Sequence, residues 1–264
     1  MEVITMLARK EWSATMAPGG DRRVIEFPID SLQERFLTLS PERTARLLLV
    51  VVLGLTLASL AGQYYRYFLS EGGHHMTIVR FFDLDSEANL PTWYSSTTLL
   101  LSSLLLAIIA WAKKWEGDRY ALHWSIMAFL FLGLSLDEAS GIHEMSIEQL
   151  RAALHAEGIF YFTWVIPGAG FVGLFLAAYL RFLAHLPAPT RWLFLLSGMI
   201  FVGGAIGVEM ISGYYSYYYG EATWGNALIT TVEEVLEMLG IVLFIYALLH
   251  YMRSYLGTIR LRIA

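Results

Sequence analysis

The chain has 264 residues, of which 56% are hydrophobic and 16% charged, against roughly 45–50% and about 25% in soluble globular domains. With a mean hydropathy of +0.53, the apolar excess is more than one buried core takes up. It indicates an all-α, polytopic integral membrane protein, and it excludes a secreted disulfide scaffold, a disordered chain and a water-soluble enzyme. The formal charge of −5 gives no signal for a nucleic-acid partner. The absence of cysteine removes disulfides, thiolate metal sites and a cysteine nucleophile, so a bound metal would need His, Asp, Glu, Tyr or water.

Residues 1–45 carry charges throughout and read as a cytoplasmic or interfacial arm. They lack the apolar stretch and small-residue cleavage site of a signal peptide. Pro18-Gly19-Gly20 breaks the arm, and Leu32, Phe36, Leu37 and Leu39 then fall at near-helical spacing, as in a short surface helix. Ser40-Pro41-Glu42 is a helix start, with Ser as cap, Pro in the first turn and an acid beside the helix dipole. The six-span domain then occupies residues 46–264.

A crossing helix needs about 20 mostly apolar residues, and six segments meet this: 47–69, 92–112, 120–143, 159–184, 191–213 and 227–252. Fifteen of the 18 basic residues fall in the arm, after spans two and four, and after span six; Arg66, Arg80 and Arg151 fall on the other side. The positive-inside rule then puts both termini in the cytoplasm, as expected for a bacterial inner-membrane protein. The outer side carries Tyr64, Tyr65, Tyr67, Trp93, Trp164 and the run Tyr214–Tyr219, which read as an interfacial aromatic belt. Residues 70–91 form a long outer loop, and 144–157 have the pattern of an amphipathic surface helix. Gly203 and Gly207 make a small-xxx-small pair in span five, and Pro167 predicts a kink in span four.

The informative residues are acids inside spans: Asp137 and Glu138 in span three, Glu209 in span five, and Glu233, Glu234 and Glu237 in span six. An acid at depth costs roughly 2.5–3.5 kcal/mol on insertion scales and marks function by default. Asp137 lies 18 residues past Arg119, Glu209 18 past Arg191, and Glu234 19 before Arg253. At 1.5 Å per residue, all three sit about 27–29 Å above the inner boundary, near the outer edge of the hydrocarbon core. The three span-six acids share one wedge of the helix, and Asp137 and Glu144, seven residues apart, share a stripe with Gly141 between them. No Lys or Arg accompanies them in mid-span. Crowded carboxylates raise one another's pKa, so protons, a metal, a moving cation or an amine must neutralise them.

His143, flanked by acids at the cluster's rim, is the candidate nitrogen ligand, while His74 and His75 read as loop residues and His123, His185 and His250 as structural. No metalloprotease H-E-x-x-H, di-iron, Walker, nucleophile-elbow or Rossmann pattern occurs. The leading expectation is a membrane-embedded site for a divalent metal, zinc, iron or manganese. Its ligands would be Asp137, His143, Glu144, Glu209, Glu233 and Glu237, and its general base Glu138 or Glu234. Such a site suits a hydrolase acting on a membrane lipid. The alternatives are a proton- or cation-coupled transporter and an accessory or assembly subunit working with other membrane proteins.

Overall fold

The computed structural model describes residues 40–70 and 76–256. Residues 1–39 of the arm with its surface segment, His74, His75, Arg260 and Arg262 lie outside the described residues. Among those residues every regular element is helical. In chain order they are α1 (Pro41–Leu69), α2 (Met76–Phe82), α3 (Leu90–Trp115), α4 (Ala121–Ser140), α5 (Ile142–Met145), α6 (Ile147–Leu154), α7 (Val165–His185), α8 (Ala188–Tyr219) and α9 (Trp224–Leu256). Helices α1, α3, α7, α8 and α9 are each long and apolar enough to cross a membrane, and α4 with its bent continuation makes a sixth. The protein is an all-α, multi-pass integral membrane protein.

Local sequence sets the helix starts. Ser40 Oγ accepts the Arg43 N–H at 3.4 Å, with Pro41 and Glu42 in the first turn, so α1 begins within the stretch the sequence assigned to the arm. Asn89 caps α3 through the Thr92 N–H at 3.1 Å, and Thr223 caps α9 through that of Asn226 at 3.2 Å. The hub is α9, which packs on α1, α3 and α8. Of its apolar window 56% is buried, against 17% for α1 and α7 and 22% for α8.

The inner half holds the main core, where Leu106, Ile109, Trp124, Phe182, Ile245 and Leu248 are fully buried. Lipid is as apolar as these side chains, so close packing and interhelical hydrogen bonds hold the bundle rather than hydrophobic transfer. Ser96 and Ser135 bond each other across α3 and α4, at 2.8 Å to each other's carbonyls. Ser212 and Ser216 both donate to Asn226 Oδ1, at 3.1 and 3.0 Å, pinning the α8–α9 hairpin. A close approach of α8 and α9 runs through Gly204 and Gly240. A Cβ on the first would stand 2.9 Å from the Glu233 carbonyl oxygen, and on the second 2.8 Å from the Phe201 nitrogen. Gly203 and Gly207, the pair expected from sequence to form the seam, have nothing within 4 Å of such a Cβ.

The two ends of the described chain share a face, since Arg253 Nη1 lies 3.1 Å from Glu42 Oε1. The α3–α4 and α7–α8 connections join them there. Tyr120 O–H donates to the Arg181 carbonyl at 3.3 Å, and Lys113 lies 5.9 Å over the Tyr251 ring. On the opposite face Trp224 sets its edge against Tyr64 and Phe68, and Tyr161 O–H donates to Glu221 at 2.9 Å.

Two sequence expectations change. Span three does not run straight through residue 143. Gly141, with φ +58°, caps α4 by donating to the Asp137 carbonyl at 2.8 Å, and the chain bends by 67°. A left-handed glycine is a common helix stop. Helix α7 starts only at Val165, so Pro167 sits in a first turn, where its missing N–H costs nothing and no kink results.

Candidate functional site

The bend at Gly141 turns α5 back over the last turn of α4. The His143 backbone N–H donates to Asp137 Oδ1 at 2.9 Å, and its ring Nδ1 lies 2.9 Å from Asp137 Oδ2. The straight-helix stripe joining Asp137 to Glu144 therefore does not form, and Asp137 is paired with His143 instead. A side chain on Gly141 would fall on the Glu87 carboxylate, which the loop before α3 brings to the same spot.

Trp164, the residue before α7, links this corner to α8. Its indole N–H donates to Glu209 Oε1 at 2.9 Å, and its ring lies 5.0 Å from that of His143. Across from Glu209 stands Glu233 of α9. Glu233 is only 6% exposed, its carboxyl lies within hydrogen-bond reach of that of Glu209, and its Oε2 accepts from no N–H or O–H donor. Glu234 and Glu237 are half-buried, and the surface they retain opens into a cavity.

That cavity has a volume of about 1260 Å³, above the roughly 300–1,000 Å³ of small-molecule pockets. All eight site residues expected from sequence line it: Asp137, Glu138, His143, Glu144, Glu209, Glu233, Glu234 and Glu237. Asp85 and Glu87, which sequence reasoning left inside a featureless outer loop, line it too. Their signal was the spacing Asp83-Leu-Asp85-Ser-Glu87 just before a helix cap. Asp83 is the anchor of that loop, buried and accepting from Gln63 Nε2 at 2.5 Å and Ser86 Oγ at 3.2 Å. Asp85 lines the cavity from the outer loop while keeping an exposed surface, and partial desolvation there and then the charge of Asp83, Glu144, Glu209 and Glu221 push its carboxyl up to about 7.

Besides the His143 imidazole, the one basic side chain on the cavity wall among the described residues is Arg151, held at the rim with its guanidinium 3.7 Å over the Tyr161 ring and Nε donating to the Tyr161 carbonyl at 2.8 Å. Further in, Phe171, Phe175, Leu176, Trp192 and Met199 make the wall apolar, and the inner end closes on Tyr179 and Leu183. Among the described residues no three His, Asp or Glu side chains form a ready-made metal cage; the carboxylates ring the wall.

No curated protein and no solved structure matches the chain. Residues 45–251, which hold every cavity-lining residue, match the model of a domain of unknown function, DUF8692, and the chain belongs to that family.

Proposed function

We propose that the protein is a membrane-embedded, metal-dependent enzyme, hydrolytic in class, that acts on a lipid-like substrate near the outer face of the membrane. The observation that carries this reading is one cavity joining a carboxylate and imidazole cluster to a long apolar chamber. The buried Glu233 carboxyl, facing that of Glu209 with no donor on its Oε2, adds to it, because two buried acids side by side call for a cation or a proton.

In this reading His143, Glu209, Glu233 and Glu237 hold the metal, with Glu144 at the rim as a further ligand. Asp137 positions the imidazole. A carboxylate on Nδ1 fixes the tautomer that leaves Nε2 free to ligate, the usual outer partner of a metal-binding histidine. Trp164 holds Glu209 in place, and Glu138 or Glu234 takes the proton from the attacking water. The oxygen-rich donor set suits zinc, iron or manganese, which would polarise a substrate carbonyl and ease deprotonation of water. The positive-inside rule argues for cytoplasmic chain ends, in a bacterial inner membrane, with the site toward the outside.

A second reading is favoured by the spread of the carboxylates around the wall and by the facing of Glu209 and Glu233. Here protons neutralise the cluster, and the protein is a proton-coupled carrier or an assembly subunit. The apolar inner end of the cavity argues against a conducting path. Elemental analysis of detergent-purified protein beside Glu209→Gln separates the two. The metal reading expects stoichiometric metal in the wild type and its loss in the variant, and metal-free protein that retains full activity rejects it.

A further inference from the structure

Inward of the carboxylates, the cavity runs between α7 and the facing walls of α4, α8 and α9. Helix α7 is held at two levels. At its outer end Gly168 lies against Trp164. At its inner end Tyr179 and Phe182 pack on His123 and Trp124, and Tyr179 O–H donates to the His123 carbonyl at 2.9 Å. Between these levels Val172, Phe175 and Leu176 face open space across from Phe131 and Met199. From Gly168 to Tyr179 the shaft is about 16 Å long at 1.5 Å per residue.

The outer end of the shaft is lined mainly by carboxylates, with the His143 imidazole and the hydroxyls of Thr92, Ser146 and Thr230 beside them. Glu233, Glu234 and Glu237 lie on one wedge of α9, Glu209 and Glu138 stand on neighbouring helices, His143 is paired with Asp137, and Arg151 is engaged at the rim by Tyr161. Glu233 Oε2 is buried on the cavity wall and accepts from no N–H or O–H donor. A primary ammonium offers three donors and no acceptor, which complements this lining. A phosphate or carboxylate head would meet like charge.

We infer that the chamber binds a single-chain amphiphile with a protonated amine head, its hydrocarbon chain in the shaft beside α7 and its ammonium among Glu233, Glu234 and Glu237. The inference goes beyond the metal reading, since one divalent ion neutralises only part of the acid lining.

The test is thermal unfolding of the full chain in mild detergent at pH 7, after chelator treatment, titrated with dodecylamine, dodecanol or dodecanoate. The three share one chain and differ in head charge, and the amine, with a pKa near that of lysine at about 10.4, is protonated there. Dodecylamine is expected to raise the melting temperature in a saturable way, with an apparent affinity at least about tenfold above that of dodecanoate. Propylamine, which lacks the chain, is expected to have no effect. Val172→Trp, which fills the shaft, removes the response to dodecylamine and dodecanol, and Glu233→Gln with Glu237→Gln lowers the amine to the level of the alcohol. If those variants fail to fold, the wild-type series decides. Dodecanoate binding as tightly as dodecylamine, or propylamine matching it, overturns the inference. Because the chelator is present throughout, metal loss and amine binding fail or succeed separately.

Discussion

Both carboxylate oxygens of Asp137 are taken by His143, one by the backbone N–H and one by the ring Nδ1, each at 2.9 Å. The pair fastens α5 to the end of α4 and aims the far ring nitrogen away from its partner. Asp137→Asn and His143→Gln should each destabilise the protein, and a double-mutant cycle should give a coupling of about 1–3 kcal/mol. Additive effects of the two substitutions, read from thermal unfolding in detergent, would show that the pair holds nothing.

The seam between α8 and α9 gives a prediction that runs opposite to simple motif reading. Gly204→Ala and Gly240→Ala place a methyl against backbone and should cost about 1–3 kcal/mol each. Gly203→Ala and Gly207→Ala meet open space and should be neutral or stabilising, by up to about 1 kcal/mol from helix propensity. Melting temperatures of the four variants check this, and equal losses at all four positions would refute the seam.

Asp85 makes stability depend on pH. Its folded-state pKa of about 7 lies above the ordinary 3.8, so the folded protein holds a proton that the unfolded chain has released. The contribution is fully present below about pH 4 and is lost as the pH rises toward 7. Asp85→Asn should therefore flatten the fall in stability across that window and raise the melting temperature at neutral pH relative to wild type. An unchanged pH profile would place the Asp85 carboxyl in free solvent.

Much of this was legible in the sequence, because it rests on local or periodic signals. The six apolar segments, the cap at Ser40 and the level of the acids along three helices all follow from counting residues at fixed rise. The expectation that Asp137, Glu209 and Glu237 share one site came from depth and phase together, and all three line one cavity. What counting missed depends on backbone reversal. Gly141 reads equally well as a small packing residue or as a left-handed stop, and only the second brings His143 back to Asp137. Asp85 and Glu87 carry no helical period, so their arrival at the cavity depends on how Gln63 holds Asp83. Trp164 looked like one more interfacial aromatic until its indole found Glu209.

The sidedness assigned by the basic residues can be read by labelling, since the native chain has no cysteine. Lys114→Cys, in the last turn of α3 on the face shared with both described chain ends, should resist a membrane-impermeant thiol reagent in intact cells and react after permeabilisation. Labelling in intact cells would invert the orientation and move the acid cluster to the cytoplasmic side.

The central claim is that a bound metal neutralises the carboxylate cluster, and the sign of one stability change tests it most directly. Unlike Asp137, Glu237 has no ion-pair partner among the described residues whose loss would confuse the result. A metal stabilises only the state that binds it, so Glu237→Gln should lower the melting temperature of the untreated protein and have little effect once a chelator has already lowered that of the wild type. If protons neutralise the cluster instead, the amide mimics the protonated acid without its ionisation cost. A chelator-insensitive protein whose melting temperature rises on Glu237→Gln would contradict the metal account.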